Sequence, residues 1–185
     1  MIILFGGVGS GKSEQAKRMV TRLKCPHVST SQLLKQQANP HWQKLMASGI
    51  LVPDKDTVSL LEPELKKIRA ESQEFILDGA PRSIGQAEWL VNKIRIGEVK
   101  LTAIIHLKVS RETTVARMLN RGREDDTAEV IGERFREYET KTIPVLDYLR
   151  SQGYEVIEID GEWSADVVEQ QIWKVLEGKI APQDR

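Results

Sequence analysis

Gly6-Gly7-Val8-Gly9-Ser10-Gly11-Lys12-Ser13 is the most informative segment of the chain. It follows an apolar run at 2–5 and opens a helical pattern at 12–23. A strand running into glycines and then into a helix is the setting that G-x-x-x-x-G-K-[ST] requires. The glycines let the backbone turn tightly and aim its N–H groups inward at phosphate oxygens. Lys12 supplies a charge for β- and γ-phosphates, Ser13 can reach Mg2+, and the helix start adds its positive end. A glycine-rich turn that binds nothing is the plainer reading, but it needs neither the strand nor the helix.

Outward from this loop, apolar runs recur at 27–29, 75–78, 103–107 and 155–159, read as strands. Helical patterns fall between them at 83–94, 111–121, 128–152 and 165–177. The alternation predicts right-handed crossovers and a mostly parallel sheet covered on both faces. In such sheets ligands bind beyond the carboxyl ends of the strands. Asp78 ends the third run, well placed to hold a Mg2+-bound water, or else to serve as a turn or N-cap residue. Two helices are expected across 31–70, more chain than one crossover needs, so an inserted lobe is expected at 30–61.

Bulk properties narrow the class. The chain has 185 residues, 40% hydrophobic and 29% charged, enough for one domain with a full core. Lys plus Arg equals Asp plus Glu at 27 each, which argues against a general nucleic-acid binder. Cys25 is the single cysteine, so no intrachain disulfide forms, and His27, His41 and His106 lack ligand spacing, so no structural zinc is expected. The opening apolar run is too short for a leader or a membrane span. A cytoplasmic protein is expected. His106, inside a strand run, reads as buried core, and Trp42, Trp89, Trp163 and Trp173 read as packing residues.

Five further segments carry a resemblance. His27-Val28-Ser29-Thr30-Ser31-Gln32-Leu33-Leu34-Lys35 is similar to the H-x-S-T-G-D-L-L-R stretch of adenylate kinases, and Gly49-Ile50-Leu51-Val52-Pro53-Asp54 to their G-x-L-V-P-D. Asp78-Gly79-Ala80-Pro81-Arg82-Ser83-Ile84-Gly85-Gln86-Ala87 resembles D-G-F-P-R-T-x-x-Q-A, and Arg123-Glu124-Asp125-Asp126 matches R-x-D-D. Asp160-Gly161 falls at a late D-G turn. Order and spacing agree along nearly the whole chain.

The resemblance implies a P-loop NTPase fold of the α/β class: a five-stranded parallel sheet with helices on both faces, a small helical monophosphate-binding insertion and a minimal lid. The division it implies is a core at 1–29, 62–120 and 127–185, an acceptor lobe at 30–61, and a lid at 121–126. It implies Mg-dependent, reversible phosphoryl transfer from ATP to AMP by a monomer, with no membrane partner. ATP would meet Gly7, Val8, Gly9, Ser10, Gly11, Lys12, Ser13, Glu14, Arg117 and Arg121. AMP would meet Thr30, Lys35, Leu51, Val52, Gly79, Arg82 and Gln86. Lys12, Arg82, Arg123 and Arg134 would act on the transferring group, and Ser13 and Asp78 would serve the metal. Arginine suits these places because its fork binds phosphate oxygens bidentately and stacks on a base. The arginines after 110 also fit a salt-bridged surface, since acidic residues are interleaved, and Arg111 and Arg136 are read that way. Arg82 and Gln86, four apart, are expected to share a helix face.

Several positions depart from the family pattern. Lys35 stands for an arginine, Gln32 for an aspartate and Ala80 for a phenylalanine. Ser13-Glu14 replaces Gly-Thr, and Glu14 either opposes phosphate or turns outward. Only Gly122 separates Arg121 from Arg123, which leaves their register open by a few positions. Transfer to UMP or CMP, and nucleotide binding with little turnover, stay open beside AMP. Thr30 and Gln86 favour adenine. The clipped 121–126 segment predicts poorer exclusion of water. ATP loss without any acceptor is expected in a coupled assay, and its absence refutes that reading.

Overall fold

The computed structural model describes residues 1–122 and 126–180. Strands β1 (Ile2–Phe5), β2 (His27–Ser29), β3 (Ile76–Asp78), β4 (Ala103–Lys108) and β5 (Val156–Asp160) form one sheet in the order β2-β3-β1-β4-β5. Every pairing is parallel. Ile2 and Leu4 of β1 enter one core cluster while Met1, Ile3 and Phe5 enter the other. A period-two strand with both faces covered is apolar at every position, which is why 2–5 reads as a continuous run.

Helices α1 (Lys12–Leu23) and α9 (Ala165–Leu176) cover one face, packing Met19 and Ile172 onto Ile2 and Leu4. Helices α4 (Asp54–Lys67), α5 (Ile84–Arg95) and α8 (Ile143–Ser151) contribute to the other through Leu61, Leu90 and Leu149. Helices α2 (Thr30–Gln36) and α3 (Pro40–Ala47) precede α4, so the stretch expected to hold two helices holds three. Asn39 caps α3 and Pro40 opens it, which makes a separate short helix of a segment too polar to show periodicity. The 61/62 boundary expected from the resemblance falls inside the continuous α4.

Helix α6 (Arg111–Arg121) has the expected bounds. The single helix expected at 128–152 is instead α7 (Ala128–Glu137), a π-helical turn (Tyr138–Thr142) and α8. Pro144 lies at the start of α8 and has no N–H for the carbonyl one turn back. The ladder there widens rather than breaks, a common solution inside long helices.

The tryptophans divide. The indole N–H groups of Trp42, Trp89 and Trp173 donate to Asp56, Glu62 and Glu169. Trp163 instead sits 58% exposed on the turn before α9. His106 is buried, as read, with Nε2 2.7 Å from the Tyr138 hydroxyl. Burial, its main influence, pushes its pKa down to about 4.

Leu61 is fully buried where α4 meets the sheet-facing cluster. Leu61→Ala is expected to cost about 2–5 kcal/mol. A denaturant titration that leaves the midpoint unmoved would contradict this packing.

Candidate functional site

The loop after β1 and the carboxyl end of β3 meet at the centre of the sheet, since β1 and β3 are neighbours. Gly9 and Gly11 take left-handed backbone there, φ 73° and 89°. A Cβ on Gly9 would stand 2.9 Å from Thr114 Cγ2, so α6 lies tight against the loop. Gly11 caps α1 without a side-chain hydrogen bond, leaving the first-turn N–H groups unclaimed by a cap.

Lys12 folds back across the loop. Its Nζ donates to the carbonyls of Gly6 (2.6 Å) and Gly7 (2.8 Å). Burial, with the nearby Arg82 and Arg121 charges, pushes its pKa down to about 8 against the pull of Asp78. Ser13 Oγ donates to Asp78 Oδ2 at 2.9 Å, and His27 Nε2 stands 3.7 Å from the same oxygen. Burial alone would raise the Asp78 carboxyl. The His27 ring, Lys12, Ser13 and Arg82 together outweigh it and hold the pKa below the usual carboxylate value.

A cleft of about 860 Å³ runs from this loop to the inserted helices. Of the residues expected at the donor end, Val8 through Glu14, Arg117 and Arg121 line it. Gly7 does not; its carbonyl serves Lys12 and its Cα faces the Tyr138 ring. Glu14 turns partly outward to accept from Arg18 Nε at 2.9 Å. Arg117 Nη2 donates to the Glu162 carbonyl at 3.1 Å on the turn after β5. At the other end, Thr30, Lys35, Leu51, Val52, Gly79, Arg82 and Gln86 all line the cleft. Arg123 lies outside the described residues, as do Glu124 and Asp125.

Seven cations line this cleft, Lys12, Lys17, Lys35, Arg82, Arg117, Arg121 and Arg134, and among them Arg82 and Arg121 act on Lys12, and Arg134 on Arg82. Burial, the leading cause, and the Arg134 charge hold Arg82 below its ordinary pKa, although Asp78 opposes both. Arg121 and Arg134 close on Asp126, whose side chain is 2% exposed: Arg121 Nη2 at 2.7 Å and Arg134 Nη1 at 3.0 Å. Arg136 pairs with Glu133 on a salt-bridged surface, as read, whereas Arg111 lies over the Phe135 ring.

Arg82 and Gln86 do not share a helix face as expected. Helix α5 begins at Ile84 with Ser83 as cap, so Arg82 precedes it and offers its backbone N–H to Gln86 Oε1 at 2.9 Å. Capping overrides the four-residue spacing.

Two further residues also belong here: Glu137, read from the sequence only as one of the interleaved acids, and Tyr138. Glu137 Oε2 accepts from the Leu51 N–H at 3.0 Å, tying α7 to the loop between α3 and α4. Its spacing of four from Lys141, its ion-pair partner at 2.8 Å, is the signal the sequence offers. Tyr138 lines the cleft beside Gly7. Nothing in its local sequence marks it.

Among the described residues no group of three or more His, Cys, Asp or Glu side chains converges as a metal site. No described helix is long and apolar enough to cross a membrane.

Comparison with known proteins agrees with this geometry. A family model described as adenylate kinase matches residues 4–154. A protein named adenylate kinase from Oenococcus oeni is 35% identical over 182 residues, covering 95% of this chain and 96% of its own. Another of that name from Corynebacterium urealyticum is 34% identical, covering 89% and 92%. A third, from Nitrobacter hamburgensis, is 34% identical, covering 99% and 95%. The match spans both ends of the cleft and the sheet that carries them, and the chain belongs to the adenylate kinase family.

Proposed function

We propose that this protein is a nucleoside monophosphate kinase that transfers the terminal phosphoryl group of ATP to AMP, giving two ADP. The observation that carries the reading is that Lys12, Arg82, Arg121 and Arg134 line one cleft together with the phosphate-type loop and with Thr30, Leu51, Val52 and Gln86. Cations that perturb one another need an anion between them, and a polyphosphate supplies it.

The acceptor needs no dedicated base. A nucleoside monophosphate carries about −1.5 to −2 charge near neutrality and is already a nucleophile. The work is alignment of two polyanions and dispersal of charge on the moving group. Lys12 and the loop N–H groups from Val8 to Ser13 would hold the donor phosphates, with Glu14 at the margin and Gly7 turning the loop. Arg82, backed by Gly79, would hold the acceptor phosphate, with Lys35 as a further charge. Thr30, Leu51, Val52 and Gln86 would receive its base, and Arg117 the donor base. Arg121, Arg134 and, from the sequence, Arg123 would meet the transferring group, which requires the first two to trade Asp126 for phosphate.

Mg2+ enters with ATP. Ser13 and the ionised Asp78 are hard oxygen donors of the kind it takes, and with so few protein ligands most of its shell would come from phosphate and water. Bound there, it neutralises phosphate charge. The proposal includes a minimal lid at 121–126, an acceptor lobe at 30–61 on the core, and a monomer at work in the cytoplasm. One chain supplying both ends of the cleft supports the monomer.

Mg·ATP offered with AMP, CMP, UMP and GMP in parallel tests the reading. ADP formation with AMP is expected, reduced about a hundredfold or more in Lys12→Ala. Preferred transfer to UMP or CMP replaces the acceptor, and ATP binding without transfer to any acceptor overturns the enzyme.

The Lys12 ammonium adds a pH dependence. Its folded pKa of about 8 lies below the ordinary 10.5, so between those values the unfolded chain binds more protons and this group's contribution to stability rises with pH. ATP requires the charged form. Binding is therefore expected to weaken as pH rises through about 8 and to take up a proton there. Calorimetry in two buffers of unlike ionisation enthalpy checks it, and equal heats refute it.

A further inference from the structure

Gln86 is held from behind. It is 2% exposed, and both polar atoms of its amide already have a protein partner. Oε1 accepts from the Arg82 N–H at 2.9 Å, and Nε2 donates to Asp54 Oδ1 at 2.9 Å. A backbone N–H can only donate and a carboxylate can only accept. These two contacts therefore admit one orientation of the amide. The flipped amide would set donor against donor at Arg82 and oxygen against oxygen at Asp54.

Asp54 is fixed in turn. Ser83 Oγ donates to Oδ1 at 2.6 Å. The other oxygen lies over Gly85, where a Cβ would stand 2.6 Å from Oδ2. Any larger residue at 85 would drive the carboxylate away. Asp54 opens α4, while Gln86 is on α5, and Asp54 does not line the cleft. Nearby in the cleft wall, the Thr30 hydroxyl oxygen is buried without a hydrogen-bond partner, a polar atom available to a ligand.

Each amide atom of Gln86 keeps one further valence: a second N–H on Nε2 and a second lone pair on Oε1. A 6-aminopurine shows an amino donor beside a ring-nitrogen acceptor. A 6-oxopurine shows a carbonyl acceptor beside a ring N–H, the reverse pattern. In one pose of the base, a locked amide matches only the first. We infer that Asp54 is a specificity-positioning residue, which selects the 6-amino over the 6-oxo purine monophosphate by fixing the Gln86 amide. The inference rests on the acceptor reading given above.

The test measures kcat/KM for AMP and for inosine monophosphate in wild type, Asp54→Asn and Gly85→Ala. Asparagine offers donor or acceptor, so it removes the Asp54 half of the lock and leaves the Arg82 N–H alone to hold the amide. The alanine methyl displaces Asp54 without changing a residue of the cleft wall. The ratio of AMP to inosine monophosphate is expected to fall about tenfold in both variants, chiefly by gain on the oxopurine. The KM for ATP should not move. Equal losses on both acceptors, or an unchanged ratio, would assign Asp54 a merely structural role and overturn the inference. If Asp54→Asn fails to fold, Gly85→Ala decides alone. AMP turnover with an unchanged ratio sinks only this inference; a wild type that does not accept AMP sinks the acceptor reading and this inference with it.

Discussion

Holding mutually repelling cations together in one partly desolvated cleft is the constraint around which the rest of this protein is arranged. Each of Lys12, Arg82, Arg121 and Arg134 is costly to remove from water, and their mutual repulsion adds to the cost. The fold offsets it in three ways. Lys12 borrows the carbonyls of Gly6 and Gly7. Asp78 sits at the end of β3 and stays ionised. Asp126 takes both Arg121 and Arg134. A phosphate chain that took over these contacts would offset part of the same cost.

The sheet order explains why so few residues suffice. Placing β1 at the centre, with β3 on one side and β4 on the other, brings the loop at 6–13 and Asp78 to the same edge. Helix α1 then leaves from the loop with its uncapped start facing the opening. Helix α7 meets the loop between α3 and α4 at the cleft wall. Glu137 holds the Leu51 N–H, and a Cβ on Gly49 would lie 3.0 Å from the Val130 carbonyl. The π-helical turn follows immediately, with Tyr138 on His106 and Thr142 Oγ1 donating to the Arg82 carbonyl at 3.0 Å. One short segment of altered helix thus contacts β4, the phosphate loop and the arginine before α5.

Much of the fold was legible because its signals are local. Strand runs at 2–5 and 27–29 and helices at 12–23 and 111–121 have the expected bounds, since apolar periodicity and turn residues act within a few neighbours. Where capping or a missing N–H intervened, reading by periodicity misplaced the element. Ser83 shifted the start of α5 and separated Arg82 from the helix of Gln86. Asn39 and Pro40 made α3. Pro144 lies just past a widened turn in a segment that looked like one helix.

Sequence alone determined the phosphate loop, the order of strands along the chain and the candidate residues, because each is a pattern of side-chain types at short spacing. Tertiary structure decided which of those residues face one another. Asp54 on Gln86, Glu137 on Leu51 and His106 on Tyr138 lie 32, 86 and 32 positions apart in the chain. Pairings at that separation are set by how the helices pack on the sheet, and no local pattern records them. The physical reason is that a hydrogen bond requires two groups within about 3 Å, and only the packed core brings distant segments that close.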